Sequence, residues 1–250
     1  MVNSYINTLS WGLIGFGIGG FGIGIGGASA YLIRYARHQL ISLLIMAMAG
    51  LIISLIFFEI IPGSIQEGGL FLTGAGFTIG YLLARQIEKF FQRIVIITNS
   101  AQRDIFIQSG ILLAFAVALH NFPSGISFGT SLLSTPELAK SLVVTMILHA
   151  IPEGMVLGLP FVLASLPPWT MLLTSVVVGF PTAIGTMLGY KFGMIIPGTL
   201  SVMLGIAVGT MLYITWFEIL KPALKEGGQI RNLFGIFAGI IFGGVYALFL

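Results

Sequence analysis

Runs of about 20 apolar residues, following one another from end to end, constrain this chain more than any other feature it has. Hydrophobicity breaks only where charges or Pro/Gly clusters fall. That divides the 250 residues into stretches near 6–33, 39–62, 68–86, 105–133, 139–165, 169–192, 197–221 and 232–250. At 1.5 Å per residue, about 20 residues cross the roughly 30 Å hydrocarbon core of a bilayer, and within that core a helix satisfies its own backbone. The sequence therefore predicts an all-α polytopic membrane protein with eight transmembrane helices in a lipid bilayer. A soluble globule is excluded, because 57% hydrophobic and 8% charged residues cannot cover a water-facing surface. The net charge of +3 would suggest nucleic acid in a soluble protein, but here the basic residues sit in the gaps between apolar runs. No nucleic-acid partner is expected. The absence of cysteine removes disulfides and thiolate metal sites from consideration.

Orientation follows from the basic residues. Arg34, Arg37, Arg85, Lys89, Arg93, Arg103, Lys221, Lys225 and Arg231 fall on one side, and only Lys140 and Lys191 on the other. The positive-inside rule makes the first side cytoplasmic and, with an even number of spans, puts both termini outside. Met-Val-Asn-Ser-Tyr at the start carries no basic n-region and no cleavage signature, so the first span reads as a retained helix. The organisation is a single transmembrane domain over 1–250. Helices 1–3 occupy about 6–86, a cytoplasmic loop about 87–104, helices 4–5 about 105–165 and helices 6–8 about 169–250.

Two internal repeats organise the spans. Phe-Glu-Ile-Ile-Pro-Gly-Ser-Ile-Gln-Glu-Gly-Gly at 58–69 returns as Phe-Glu-Ile-Leu-Lys-Pro-Ala-Leu-Lys-Glu-Gly-Gly at 217–228, a shift of 159 that also pairs Gly20 with Gly179, Gly26 with Gly185, Tyr31 with Tyr190 and Gly50 with Gly209. A second shift, of 29, pairs His120-Asn-Phe-Pro-Ser-Gly with His149-Ala-Ile-Pro-Glu-Gly, and Gly129 with Gly158. Each shift crosses an odd number of helices, so the partners run in opposite directions through the membrane. The layout is 3+2+3 with inverted repeats, the symmetry that transporters use to alternate access to a midplane site.

The chemistry concentrates in helices 4 and 5. Two of the three histidines, His120 and His149, hold equivalent places in the mirrored motif. An ionisable side chain at membrane depth needs a partner, a water-filled cavity or a metal. A lone buried histidine is most simply a neutral, hydrogen-bonded side chain, whereas two in one frame beside a glutamate point to a shared cation. His149 and Glu153 are four apart and share a helix face; His120 and Ser124 repeat that spacing, and Asn121 adds an amide oxygen. Pro123 and Pro152 lack the N–H that would bond the carbonyls of Leu119 and Leu148, so each is expected to kink its helix and free a carbonyl. Gly125 and Gly154 allow close helix approach.

The two motifs resemble the helix 4 and helix 5 signatures of the ZIP family of divalent metal transporters, and the eight-helix layout matches over essentially the whole chain. The resemblance implies import of zinc-class cations toward the cytoplasm, with iron, manganese, cobalt and cadmium in the same class, by one bundle moving against another. The divalent metal is then cargo rather than a prosthetic group. Carried over by position, His120, His149 and Glu153 are primary ligands and Asn121 belongs to a second site. Ser124 stands where the family usually has Glu, and Ala150 where it has Asn or Asp, so a single, weaker site is expected. Two imidazoles and one carboxylate leave a bound divalent cation with net positive charge. The resemblance also implies a homodimer, and the short loops suggest a bacterial inner membrane.

Glu59 and Glu218, mates under the longer shift, read as relay carboxylates at the outer entrance and inner exit of the pathway. Glu67 and Glu226 read as solvated loop residues. Gly15-x-Gly17-x-x-Gly20 matches a dinucleotide fingerprint formally, but with no preceding strand it reads as helix packing. The methionines read as packing or lipid-facing residues, and Trp169 as an interfacial anchor. Outside transport, the three candidate ligands would also suit an intramembrane zinc-dependent hydrolase, which needs an open position, or a non-transporting metal sensor.

Overall fold

The computed structural model describes residues 2–33, 38–91, 98, 100–193, 195–221, 224 and 229–248, and among these every regular element is helical. Arg34, Arg37, Arg93, Lys225 and Glu226 lie outside the described residues. The elements are α1 (Val2–Ile33), α2 (His38–Leu55), a π segment (Ile56–Ile60), α3 (Ile61–Phe91), α4 (Ala101–Ser134), α5 (Pro136–Leu163), α6 (Trp169–Phe192), α7 (Thr199–Ile214), a second π segment (Thr215–Leu220) and α8 (Gln229–Ala247). Seven stretches among the described residues are long and apolar enough to cross a membrane.

One of the seven, Ser42–Phe90, has 49 residues, which as a straight rod would reach about 73 Å, more than twice the hydrocarbon core. It is not straight. Gly69 has φ 81° and ψ 169°, which a residue without a Cβ adopts freely. On either side of it, the hydroxyls of Ser64 and Thr73 lie 2.8 Å apart, and Ser64 donates to the carbonyl of Ser201 at 2.9 Å. In a continuous helix, residues nine apart would be separated by about 13 Å along the axis. The chain therefore doubles back at Gly69, not over the 63–67 stretch that the sequence suggested. Pro62 is tolerated inside α3 because it directly follows the π segment, where the i→i−4 ladder is already displaced.

The loop expected over 87–104 is shorter than the sequence implied, since α3 runs to Phe91 and α4 starts at Ala101. The charges that looked like loop residues complete helix ends instead. Lys89 lies in the last turn of α3 and Asp104 in the first turn of α4, each complementing the helix dipole, and Asp104 accepts from the backbone N–H of Thr98 at 2.7 Å.

Helices α1, α4, α5 and α6 pack as one group; α3 packs on α7 and α2 on α8, and these two pairs, which meet chiefly through the π segments, form a second, looser group joined to the first through α4 with α7 and α2 with α5. Glycines set the spacing within each group, because backbone meets backbone where no Cβ intervenes. Gly125 lies on Thr182, Gly185 on Phe122, Gly154 on Ile23 and Gly26 on Ile151 in the first group; Gly76 lies on Val202, Gly80 on Ile206, Gly235 on Leu43 and Gly239 on Ala47 in the second. These contacts are themselves paired by the sequence repeats. Gly125–Thr182 maps onto Gly154–Ile23 and Gly185–Phe122 onto Gly26–Ile151 under the two shifts, while Gly76–Val202 maps onto Gly235–Leu43 and Gly80–Ile206 onto Gly239–Ala47 under the longer one. The formal fingerprint in α1 is packing too, with Gly15 against Thr186 and Gly20 against Gly179.

Large apolar side chains such as Leu172, Phe180, Phe234, Phe237, Ile241 and Phe242 point outward from the bundle, as a lipid-facing surface requires, and Trp169 is exposed at the start of α6. Met46, Met146, Met171 and Met211 are buried and therefore pack the interior. A methyl at Gly80 would strike the backbone of Ile206, whereas Gly74, on the exposed side of the same helix, meets nothing. Gly80→Ala is expected to destabilise the protein by about 1–3 kcal/mol and Gly74→Ala to stabilise it by up to about 1 kcal/mol. Thermal unfolding of the two variants in detergent would measure the opposite signs.

Candidate metal centre

Helix α5 presents polar side chains every fourth residue, Ser141, Thr145, His149 and Glu153, so that all four lie along one stripe. Helix α4 brings His120 to its lower end. The ligating atoms of His120, His149 and Glu153 lie within 4.8 Å of one another. His120 Nε2 and Glu153 Oε1 are 3.4 Å apart, and the two imidazole rings have centroids separated by 5.8 Å. Ligands of a tetrahedral zinc at 2.0–2.2 Å are about 3.4 Å from each other, so the His120–Glu153 pair already has the separation such an ion needs.

All three residues are buried, at 0%, 3% and 8% exposure, and the protein leaves them short of partners. Nε2 of His120 and Oε2 of Glu153 are buried without a hydrogen bond, and each imidazole has only a backbone partner on its own helix, Ala116 for His120 and Thr145 for His149. Each such atom costs about 1–3 kcal/mol if it stays unpaired. A divalent cation bound by Nε2 of His120, a nitrogen of His149 and Glu153 would remove much of that cost at once, with an overall charge of about +1 and room for a further ligand. A crevice of about 10 Å³, room for roughly one water, runs from Glu153 between α4, α5 and α7 and is lined by Leu113, Met211, Ile214 and Thr215.

The neighbouring motif residues do other work. Asn121 donates its side-chain N–H to the carbonyl of Val178 at 3.0 Å, tying α4 to α6, so its side chain is turned onto α6. Ser124 donates to the carbonyl of His120 at 2.9 Å within its own helix. Ala150 lies against α1, where a methyl at Gly22 would already collide with it, so that position has space for a small side chain only. Helices α4 and α5 continue without interruption through Pro123 and Pro152.

Glu59 and Glu218 both fall in π segments, and the segments are mates under the longer repeat shift. The segments were invisible in the sequence, since hydropathy does not register a change of backbone ladder. Glu59 accepts from Ser141 at 2.5 Å and from Thr145, both on α5. Glu218 shares a cavity of about 10 Å³ with Glu88, Tyr213, Leu112 and Ala116, and Tyr213 donates to Glu88. Ser141, Thr145, Glu88 and Tyr213 were not singled out from the sequence, although the four-residue ladder ending in His149 and Glu153 would have flagged the first two. Glu67 is exposed, as expected of a solvated residue, but also accepts from Thr135 at 2.9 Å.

Replacing Glu153 by Gln keeps the shape of the centre and removes its one negative charge. Cadmium affinity in detergent, followed by titration calorimetry, is expected to fall by at least about tenfold with unfolding temperature little changed.

The chain matches the family model described as the ZIP zinc transporter over residues 97–247, more than half its length. It is 28% identical to the zinc transporter ZupT of Chlorobium luteolum over 243 residues, covering 89% of this chain and 91% of that protein. It is 26% identical to that of Corynebacterium glutamicum, covering 91% and 95%, and 24% identical to that of Streptococcus mutans, covering 92% and 94%. With the buried His120–His149–Glu153 cluster and its apolar helices, the chain is an integral membrane protein, a transporter rather than an enzyme, and belongs to the ZIP zinc transporter family.

Proposed function

We propose that this protein imports divalent cations of the zinc class toward the cytoplasm, by alternating access around His120, His149 and Glu153. The observation that carries the reading is the convergence of two repeat-related imidazoles and one carboxylate, all buried, where the protein supplies too few partners of its own. The names of the related ZupT proteins favour zinc as the first cargo. A mixed nitrogen and oxygen donor set also accepts iron, manganese, cobalt and cadmium.

Eight spans in a 3+2+3 order are supported by the reversal at Gly69, which makes two membrane-length rods of the 49-residue stretch. The positive-inside rule turns the Lys89, Arg103 and Lys221 end toward the cytoplasm and the Glu67, Thr135 and Lys140 end outward, with both termini outside the cell membrane of a bacterium. The inverted repeat is supported by residues that meet their own mates. Two residues exchanged by a two-fold axis touch only when they lie near it, and Gly20 touches Gly179 while the His120 and His149 rings adjoin. An axis through the cation site makes the inward and outward conformations near-equivalent around a fixed point.

On this reading, the group formed by α1, α4, α5 and α6 carries all three donors and moves against α2, α3, α7 and α8. Glu59 receives the cation outside. The crevice below Glu153 leads toward Glu218 and Glu88, which release it inside. The small side chains at Ser124 and Ala150 favour one ion held with residual positive charge, a weaker grip that suits a site required to let go. Asn121 acts by fixing α4 against α6.

Proteoliposomes containing the protein are expected to take up zinc, measured with an internal fluorescent chelator, at a rate that His149→Ala lowers by at least about tenfold. Equal uptake by the two proteins would remove the assignment of the centre.

A further inference from the structure

The two relay carboxylates are mates by sequence, yet their surroundings differ in a way the repeats make measurable. Glu59 is held by Ser141 and Thr145 of α5. Under the same pseudo-symmetry, the positions facing Glu218 are Leu112 and Ala116 of α4, and these do line its cavity. One carboxylate therefore meets two hydroxyl donors across the boundary between the helix groups, and the other meets a leucine and an alanine. A second tie stands on the hydroxyl side, where Thr135 at the α4–α5 corner donates to Glu67. Glu59 and Glu67 belong to one helix group and Thr135, Ser141 and Thr145 to the other, so both ties clamp the groups together at the same end of the molecule.

The clamp is incomplete in one respect. Both hydroxyls bond Oε1 of Glu59, and its Oε2 is buried with no hydrogen-bond partner. A buried carboxylate oxygen of this kind is a landing point for a cation.

We propose that Glu59, Ser141 and Thr145 form an outer latch that is also the first cation site, so that the closed gate and an arriving divalent cation compete for one carboxylate. The cation is taken first by the unpaired Oε2. Once both oxygens are engaged with the ion, Oε1 keeps only one of the two lone pairs that accepted the Ser141 and Thr145 hydroxyls, so at least one of the two ties is lost and α5 is loosened from the π segment. Because α5 carries His149 and Glu153 on the same stripe, its release exposes the metal centre to the ion that triggered it. Among the described residues lining the Glu218 cavity, α4 offers no such hydroxyls, so without metal the carrier rests closed to the outside. This inference rests on the transport reading and on its inside–outside assignment.

The chain contains no cysteine, which allows a direct test. A single cysteine is introduced as Leu142→Cys, a position 5% exposed and next to Ser141, in the buried cluster that also contains Ile52, Ile56 and Ile60. Its reaction with a membrane-impermeant maleimide is followed in intact cells with and without cadmium. Without metal, labelling is expected to be slow, and to rise at least about fivefold in Ser141→Ala/Thr145→Ala. Thr145→Val, which loses one donor at nearly constant shape, gives an intermediate rise should the double variant fold poorly. Cadmium is expected to raise labelling of the parent by a similar factor. Glu59→Gln keeps an oxygen that accepts the hydroxyls but loses the charge, so its labelling stays slow and ceases to respond to cadmium. Unchanged labelling on loss of the hydroxyls, or an undiminished cadmium response in Glu59→Gln, would overturn the proposal. The metal-free arm reads the latch whether or not the protein transports, so absent zinc uptake with a normal labelling pattern would count against the transport reading alone.

Discussion

Hydrocarbon offers nothing to a charge, and every polar feature of this molecule is arranged around that fact. A carboxylate and two imidazoles at membrane depth stay in place because they converge on a point where a cation can satisfy them together. The helices that hold them must approach closely enough to exclude lipid. They do so through glycines at Gly125, Gly154, Gly26 and Gly185, whose missing side chains let backbones meet. A larger residue at any of these positions would push α4 off α6 or α5 off α1.

The convergence of His120, His149 and Glu153 was readable from the sequence because it is local. His149 and Glu153 are one helical turn apart, and His120 repeats the motif of His149, so a linear pattern contains the geometry. The all-helical, membrane-spanning class was readable from hydropathy, and the glycine pairings were foreshadowed by Gly20 with Gly179. What stayed hidden depends on backbone detail or on distant partners. The reversal at Gly69 rests on a positive φ that only contact between Ser64, Thr73 and Ser201 reveals. Glu88 came into view only because Tyr213, 125 residues away, turned out to be its partner. The partner of the Asn121 amide N–H, the carbonyl of Val178 on α6, is 57 residues away and could not be read from the motif.

Pseudo-symmetry here is close in the backbone and loose in the side chains. Contacts such as Gly80–Ile206 and Gly239–Ala47 match across the repeat, so the two halves share one packing scheme. The side chains around Glu59 and Glu218 do not match: hydroxyls adjoin the first, and apolar groups with a neighbouring glutamate and tyrosine adjoin the second. On the proposed transport cycle, a symmetric scaffold would supply two conformations of similar energy, and the unequal decoration would decide which is favoured at rest.

Glu59 and Glu218 both ride on π segments, where the helix carries one residue more than an α-turn would hold. An extra residue wound into a turn is a stored rotation. If either segment tightened to α geometry, the side chains beyond it would swing by about 100° around the axis. A carboxylate aimed at its neighbours would then be re-aimed elsewhere without any rod unwinding or leaving the membrane.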